Sequence, residues 1–208
     1  IYTMLESEKS DGEQVVPLSL TAPVWDRVFT VAPLVLIGTR EADGAYNLAP
    51  KHLVTPLSWT NYFGFVCTPQ HTTYHNIKRE GVFTVSYPRP TQTVLASLTA
   101  SPREDDGSKP GISALPTWPA RQIDGLFIED AYLFLECKLD RIVDDFDINS
   151  LIAGRIVAAY AASDSVRQED LDDNDLLAQA PLLAYVNWGR FARIDESFAF
   201  PFISTFKR

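Results

Sequence analysis

Cysteine and histidine are scarce in this chain, with two cysteines, Cys67 and Cys137, and three histidines in 208 residues. Two thiols build neither a disulfide framework nor a metal knuckle. Both lie in apolar, strand-like runs, where a buried thiol is the ordinary outcome. Positive charge is short as well: 18 Lys and Arg stand against 27 Asp and Glu, for a net charge of −9. That balance argues against the basic face of a generic nucleic-acid or anionic-membrane binder, and leaves room for a small anion held by a few local donors. The longest hydrophobic run, "VAPLVLIG", falls far short of the roughly 20 apolar residues of a membrane span. The opening "IYTMLESEKSDGEQ" has neither the basic start nor the apolar middle of a secretion signal. A cytoplasmic protein is therefore expected, and residues upstream of Ile1 lie outside that reading. No GxGxxG follows a strand, and no Walker loop, GxSxG elbow or HExxH pair occurs. The first absence removes a Rossmann site but leaves open a nicotinamide used as a transient hydride donor.

What is present is the composition of an ordinary globular protein, 46% hydrophobic and 22% charged, with length for one domain over 1–208. Most of the chain reads as strands. The run 30–40 leads into a turn whose Asp43-Gly44 pair signals a hairpin. The next run, 46–54, carries Pro50 and so should lie at a sheet edge or break there. In 61–68, Phe63, Phe65 and Cys67 share one face. In 81–87, Phe83, Val85 and Tyr87 alternate with Val82, Thr84 and Ser86. Later strands are expected at 131–142, 150–160 and 181–194. In the first of these, Leu133, Leu135, Cys137 and Leu139 alternate with Glu136, Lys138 and Asp140. Helices are few: 72–80 closed by Gly81, 90–101 opened by Pro90, and a third within 165–180. Between 101 and 126 the chain is rich in Pro and Gly, and a loop of that length suggests a lid or a subunit contact. The pattern predicts a mainly β, α+β fold, a barrel or sandwich, without repeats or a second domain.

The stretch "HTTYHNIKREG", residues 71–81, carries the chemistry. Thr72 or Thr73 can cap the helix, and its first turn leaves backbone N–H groups free at the positive end of the helix dipole. Hydroxyls, an asparagine amide and a histidine there can cradle a phosphate. An ordinary capped helix explains the same residues, with Lys78 and Arg79 as partners of the dipole's negative end. Three imidazoles, His52, His71 and His75, are also enough in principle for zinc, although His71 should precede the helix.

The ordered segments "DGAYNLAP" (43–50), "TTYHNI" (72–77) and "GVFTVSY" (81–87) resemble the flavin reductase-like family, in its flavoredoxin branch. "LFLECKLDRI", "LIAGRIVAA" and "YVNWGRFARI" are similar to that family's later strands, so the resemblance covers about residues 28 to 194. It implies an FMN-binding split β-barrel with Greek-key-like connections, and an NAD(P)H-dependent flavin reductase or, without nicotinamide turnover, a flavin-binding electron carrier or redox sensor. The flavin ring would lie along Asn47, Leu48, Ala49, Pro50, Lys51 and His52. Cys67 and Thr68 would stand at the neighbouring strand end, and His71, Thr72, Thr73 and Asn76 at the phosphate. Lys51 and His52 depart from the family's pattern, as does Asn149, and Lys51 would put positive charge near the ring's N1–C2 edge. The resemblance further implies FMN as cofactor, NADH or NADPH as donor, and a small-molecule redox substrate or partner protein as acceptor. It also implies a homodimer with the pocket near its interface, and hydride transfer to the flavin needs no side-chain acid or base. No nucleic-acid or membrane partner is expected from the charge balance and the short apolar runs, and no metal from the histidine pattern.

Overall fold

The computed structural model describes residues 15–113, 115–199 and 201. A curled seven-stranded antiparallel sheet dominates it, in the order β3-β2-β6-β9-β10-β5-β4. Its strands are β2 (Val35–Arg40), β3 (Tyr46–Lys51), β4 (Val54–Pro56), β5 (Tyr62–Cys67), β6 (Val82–Tyr87), β9 (Leu133–Phe146) and β10 (Asn149–Ala161). The inner face holds Val35, Ile37, Phe63, Phe65, Cys67, Phe83, Val85, Leu135, Cys137 and Ile152, closed by Tyr74 and Ile77 of α1 (Thr72–Glu80). The aromatic alternation expected in β5 and β6 thus becomes the core.

The outer face of β2, β6 and β9 is covered too. Leu36 and Phe134 pack there with Ala96 of α2 (Thr93–Leu98), with Phe127 and Ile128 of β8 (Leu126–Ile128), and with Leu183 of β11 (Leu182–Val186). A strand buried on both faces is apolar throughout rather than alternating, which accounts for the unbroken run before Gly38. Polar residues on this face are satisfied by the layer above: Thr84 donates to the Leu126 carbonyl, and Ile128 N–H donates to Ser86 Oγ at 3.2 Å.

Several elements differ from the sequence expectation. The run 30–40 divides at Leu34. Its first part, β1 (Val31–Pro33), joins a separate three-stranded sheet with β11 and β12 (Arg190–Ile194). Pro33 has no N–H for a second partner, so the chain changes sheets there. The segment 181–194 is a hairpin, turning through Gly189 at φ 68°. The loop 101–126 is not structureless: it contains α3 (Pro110–Ser113) and β7 (Thr117–Pro119), which pairs with β8. The helix sought in 165–180 is confined to α4 (Asp173–Gln179), whose start is set by the Asp172 carboxylate accepting from Asn174 N–H at 2.8 Å. Pro90 opens a 3-10 turn rather than the α-helix itself, which begins at Thr93. Pro50 does sit on an edge strand, since β3 is terminal in the sheet order.

Gly38 marks where the two layers touch. A Cβ there would collide with Thr84 Oγ1 and stand 2.5 Å from the Leu126 carbonyl oxygen. Because one obstacle is backbone, Gly38→Ala should cost about 1–3 kcal/mol, read as a lower midpoint in urea unfolding. An unchanged midpoint would mean that β8 moves away freely.

Candidate functional site

The start of α1, the edge strand β3 and the loop after α2 enclose a cleft of about 520 Å³, within the usual range for small-molecule sites. Its floor is β3, which pairs with β2 from Tyr46↔Arg40 to Lys51↔Val35. Asn47, Ala49, Pro50 and Lys51 line the cleft from this strand, Gln70 to Thr73 from the helix start, and Thr99 to Arg103 with Lys109 from the loop. Lys51, Arg103 and Lys109 supply three cations, and among the described residues no carboxylate shares the lining. In a chain of net charge −9 this local reversal favours a bound anion.

Helix α1 is oriented by its apolar and small residues. Thr73, Tyr74, Asn76 and Ile77 are buried, at the three- and four-residue spacing of one helical face. Gly81 takes the left-handed conformation at φ 68° and closes the helix, its N–H donating to the Ile77 carbonyl at 2.8 Å. The N-cap is His71 rather than either threonine, and no side chain caps the first turn. Thr72 and Thr73 are already helical, so their hydroxyls do not fold back as caps and both residues line the cleft. The start of the helix is thus left without a side-chain acceptor of its own.

Lys51 reaches from β3 to this point, its Nζ 3.3 Å from His71 Nδ1. Burial, and then the Lys51 charge, push the His71 imidazole below its ordinary value, so Nδ1 accepts from the ammonium. From the loop, Arg103 donates to the Thr72 hydroxyl at 3.3 Å and to the Gly107 carbonyl at 2.8 Å, and pairs with Glu41. Lys109 donates to Asn47 Oδ1 at 3.3 Å, to the Leu48 carbonyl at 3.2 Å and to the Thr99 carbonyl. Burial, and then the neighbouring Arg103 charge, push Lys109 down to about 8.

Five of the residues assigned from sequence lie outside the cleft lining. Leu48 is fully buried and packs on Ile112 and Leu115, so only its carbonyl takes part, through Lys109. Asn76 is also buried. Its amide donates to Thr39 Oγ1 at 3.0 Å and accepts from Arg79 at 3.2 Å, so it ties the helix to β2. Cys67 belongs to the inner core, and burial raises its thiol. The Thr68 hydroxyl accepts from Gln70 N–H at 3.3 Å and shapes the turn into α1. His52 follows the end of β3 and stacks on Tyr185, with ring centroids 4.4 Å apart. The three histidines do not converge, since His71 reaches Lys51 and His75 lies edge-on against Tyr74. Arg79, read as a dipole partner, also donates to the Arg40 carbonyl at 2.6 Å. Sequence reading missed Gln70, Thr99 to Arg103 and Lys109 of the lining; Arg103 and Lys109 are the charged ones, and the length of the loop carrying them was the one signal available.

Among the described residues, no helix is long and apolar enough to cross a membrane. The sequence matches the flavin reductase like domain over residues 28–194. The fold is similar to flavoredoxin of Desulfovibrio vulgaris (Miyazaki F), with a TM-score of 0.72 and 19% identity over 91% of this chain and 99% of that one. It is also similar to nitrilotriacetate monooxygenase component B from Bacillus cereus, with a TM-score of 0.76 and 14% identity over 91% and 100% of the two chains. An uncharacterised protein of Methanothermobacter thermautotrophicus is 28% identical over 144 residues, 66% of this chain and 67% of that one. The matched domain takes in the curled sheet and every residue named in the cleft lining, and the protein is a split-barrel member of the flavin reductase-like family.

Proposed function

We propose that the cleft binds FMN and that the protein is an NAD(P)H-dependent flavin reductase. The observation that carries this reading is the trio Lys51, Arg103 and Lys109 at the start of α1, of which only Arg103 has a carboxylate partner, Glu41, behind the cleft lining. Backbone N–H groups of the first turn, the hydroxyls of Thr72 and Thr73, and Arg103 would hold the phosphate. Asn47 to Lys51 would hold the ring, with the Lys51 ammonium offering a positive edge. Bound FMN would supply the redox chemistry, accepting hydride from NADH or NADPH and passing electrons to a small molecule or a partner protein. The side chains bind and orient, and none is assigned as an acid or base.

A homodimer fits this reading. Leu53 beside β4, Trp59 in the β4–β5 turn, and Phe146 and Ile148 around the β9–β10 turn are exposed apolar residues. Burial of such side chains is a common use of a subunit interface.

FMN and riboflavin should be titrated into flavin-free protein and followed by the flavin absorption band. FMN is expected to bind about 10- to 150-fold more tightly, the worth of one or two charge-assisted hydrogen bonds. Bleaching of the band on addition of NADH or NADPH then identifies the reductase. Equal affinity for the two flavins would reject the phosphate site. A bound flavin that neither nicotinamide bleaches would mark a flavin-binding electron carrier instead.

A further inference from the structure

Behind the cleft lies a second cavity of about 410 Å³, with Asn47, Arg103 and Lys109 lining both. Glu41 lines this cavity and not the cleft. It follows the last residue of β2 in the turn signalled by Asp43-Gly44, and that turn is closed by its own bonds. Glu41 N–H donates to the Ala45 carbonyl at 2.7 Å, Gly44 N–H to the Glu41 carbonyl at 3.1 Å, and Ala45 N–H to Asp43 Oδ1 at 2.9 Å. The Glu41 side chain is 14% exposed, and its carboxylate pairs with Arg103. The same guanidinium reaches the Thr72 hydroxyl at 3.3 Å and the Gly107 carbonyl at 2.8 Å. Among the described residues these contacts engage Nη1 and Nη2 of Arg103 and leave its Nε–H over.

We propose that Glu41 is a positioning residue for the anion site: from behind the cleft it holds the Arg103 guanidinium at the start of α1, ready for the phosphate of the ligand. This rests on the phosphate reading of the cleft. An arginine on a loop loses rotamer freedom when it grips a ligand, and one already held loses less. Because the guanidinium is a planar fork, fixing one edge also aims the other. The Glu41 charge by itself repels an anion, but two features offset this. It stands outside the cleft lining and is paired with Arg103. It also supports the second cation: burial and the Arg103 charge push Lys109 down, and the Glu41 charge opposes them. Removing the carboxylate would therefore loosen Arg103 and disfavour the Lys109 ammonium together.

FMN, riboflavin and inorganic phosphate are titrated into the flavin-free parent, Glu41→Gln, Glu41→Asp, Arg103→Gln and the double variant Glu41→Gln/Arg103→Gln. The flavins are followed by absorption, and phosphate by the Arg103 Nε–H resonance in NMR. Glu41→Gln should weaken FMN binding about 3- to 10-fold and leave riboflavin binding unchanged. Glu41→Asp should fall between Glu41→Gln and the parent, and carries the comparison if the glutamine variant does not fold. In the Arg103→Gln background Glu41→Gln should weaken FMN binding no further. The proposal is overturned if Glu41→Gln binds FMN as tightly as the parent, if it weakens both flavins alike, or if its effect is the same with and without Arg103. Failure of the flavin reading looks different, since neither flavin then binds the parent. Phosphate decides in that case: tighter binding by the parent than by Glu41→Gln keeps Glu41 in this role, and equal binding or none removes it.

Discussion

Glu136→Gln is expected to destabilise the protein by about 3 kcal/mol, lowering its thermal midpoint by roughly 6–12 °C. Glu136 is fully buried on β9, although in the strand's alternation it shares a face with Lys138 and Asp140. Its Oε1 accepts from Arg121 N–H at 2.8 Å and from Tyr160 OH at 2.9 Å, and its Oε2 accepts from the N–H groups of Gln122 and Ile123 at 2.7 and 2.9 Å. All of these partners donate, so only a carboxylate satisfies them together. A glutamine amide keeps one oxygen and sets an NH2 group against at least one backbone N–H. The donor so stranded loses a charged acceptor in a partly buried place. Tyr160→Phe, which removes one of the four bonds, should cost only about 1 kcal/mol. The effect should extend towards the cleft, because the same loop places Asp124, which pairs with Arg40 at 2.7 Å and takes the Tyr46 hydroxyl. Thermal unfolding followed by circular dichroism measures it. A shift below about 2 °C for Glu136→Gln would show that the loop is anchored elsewhere.

Lys109→Met is expected to weaken FMN binding about tenfold, equivalent to about 1.4 kcal/mol, and to remove a pH dependence that the parent protein should show. With Lys109 at about 8, its ammonium is present below that pH and lost as pH rises through it. Affinity for an anionic ligand should therefore fall between pH 7 and 9. Stability of the flavin-free protein should respond in the opposite sense. An unfolded lysine keeps its proton up to about 10.4. Below about 8 both states are charged, and the folded state carries a half-buried ammonium. Between about 8 and 10 the unfolded chain holds more protons, so this residue makes stability rise with pH. FMN titrations and urea melts at pH 7 and 9 separate the two slopes, and the methionine variant should flatten both. Parallel pH slopes in parent and variant would locate the titrating group elsewhere.

How much of this was legible differs from element to element. The strand alternations Phe63-Phe65-Cys67 and Phe83-Val85 report burial directly, because side chains on a pleat repeat every second residue. Gly81 announced the end of α1, because a left-handed residue there favours glycine. The resemblance of 43–50 and 72–77 to a flavin-binding family, with the positions that flank those segments, brought seven of the cleft's residues into view, Asn47, Ala49, Pro50, Lys51, His71, Thr72 and Thr73. Asn76 lies outside that lining, its amide bonded within the fold. His52 lies outside it too, turned by the end of β3 towards Tyr185.

Local pattern in the sequence thus determined which segments pair as strands, where α1 ends, and that an acidic chain carries residues suited to one local anion site. Tertiary structure alone decided that Arg103 and Lys109 arrive at that site, that Glu136 turns inward to hold a loop, and that the run 30–40 serves two sheets. The physical reason is range. Periodicity and capping act over a few residues, whereas Lys109 meets Asn47 across 62 positions and Arg103 meets Thr72 across 31. A loop without periodicity records nothing in its own sequence of the surface on which it comes to rest.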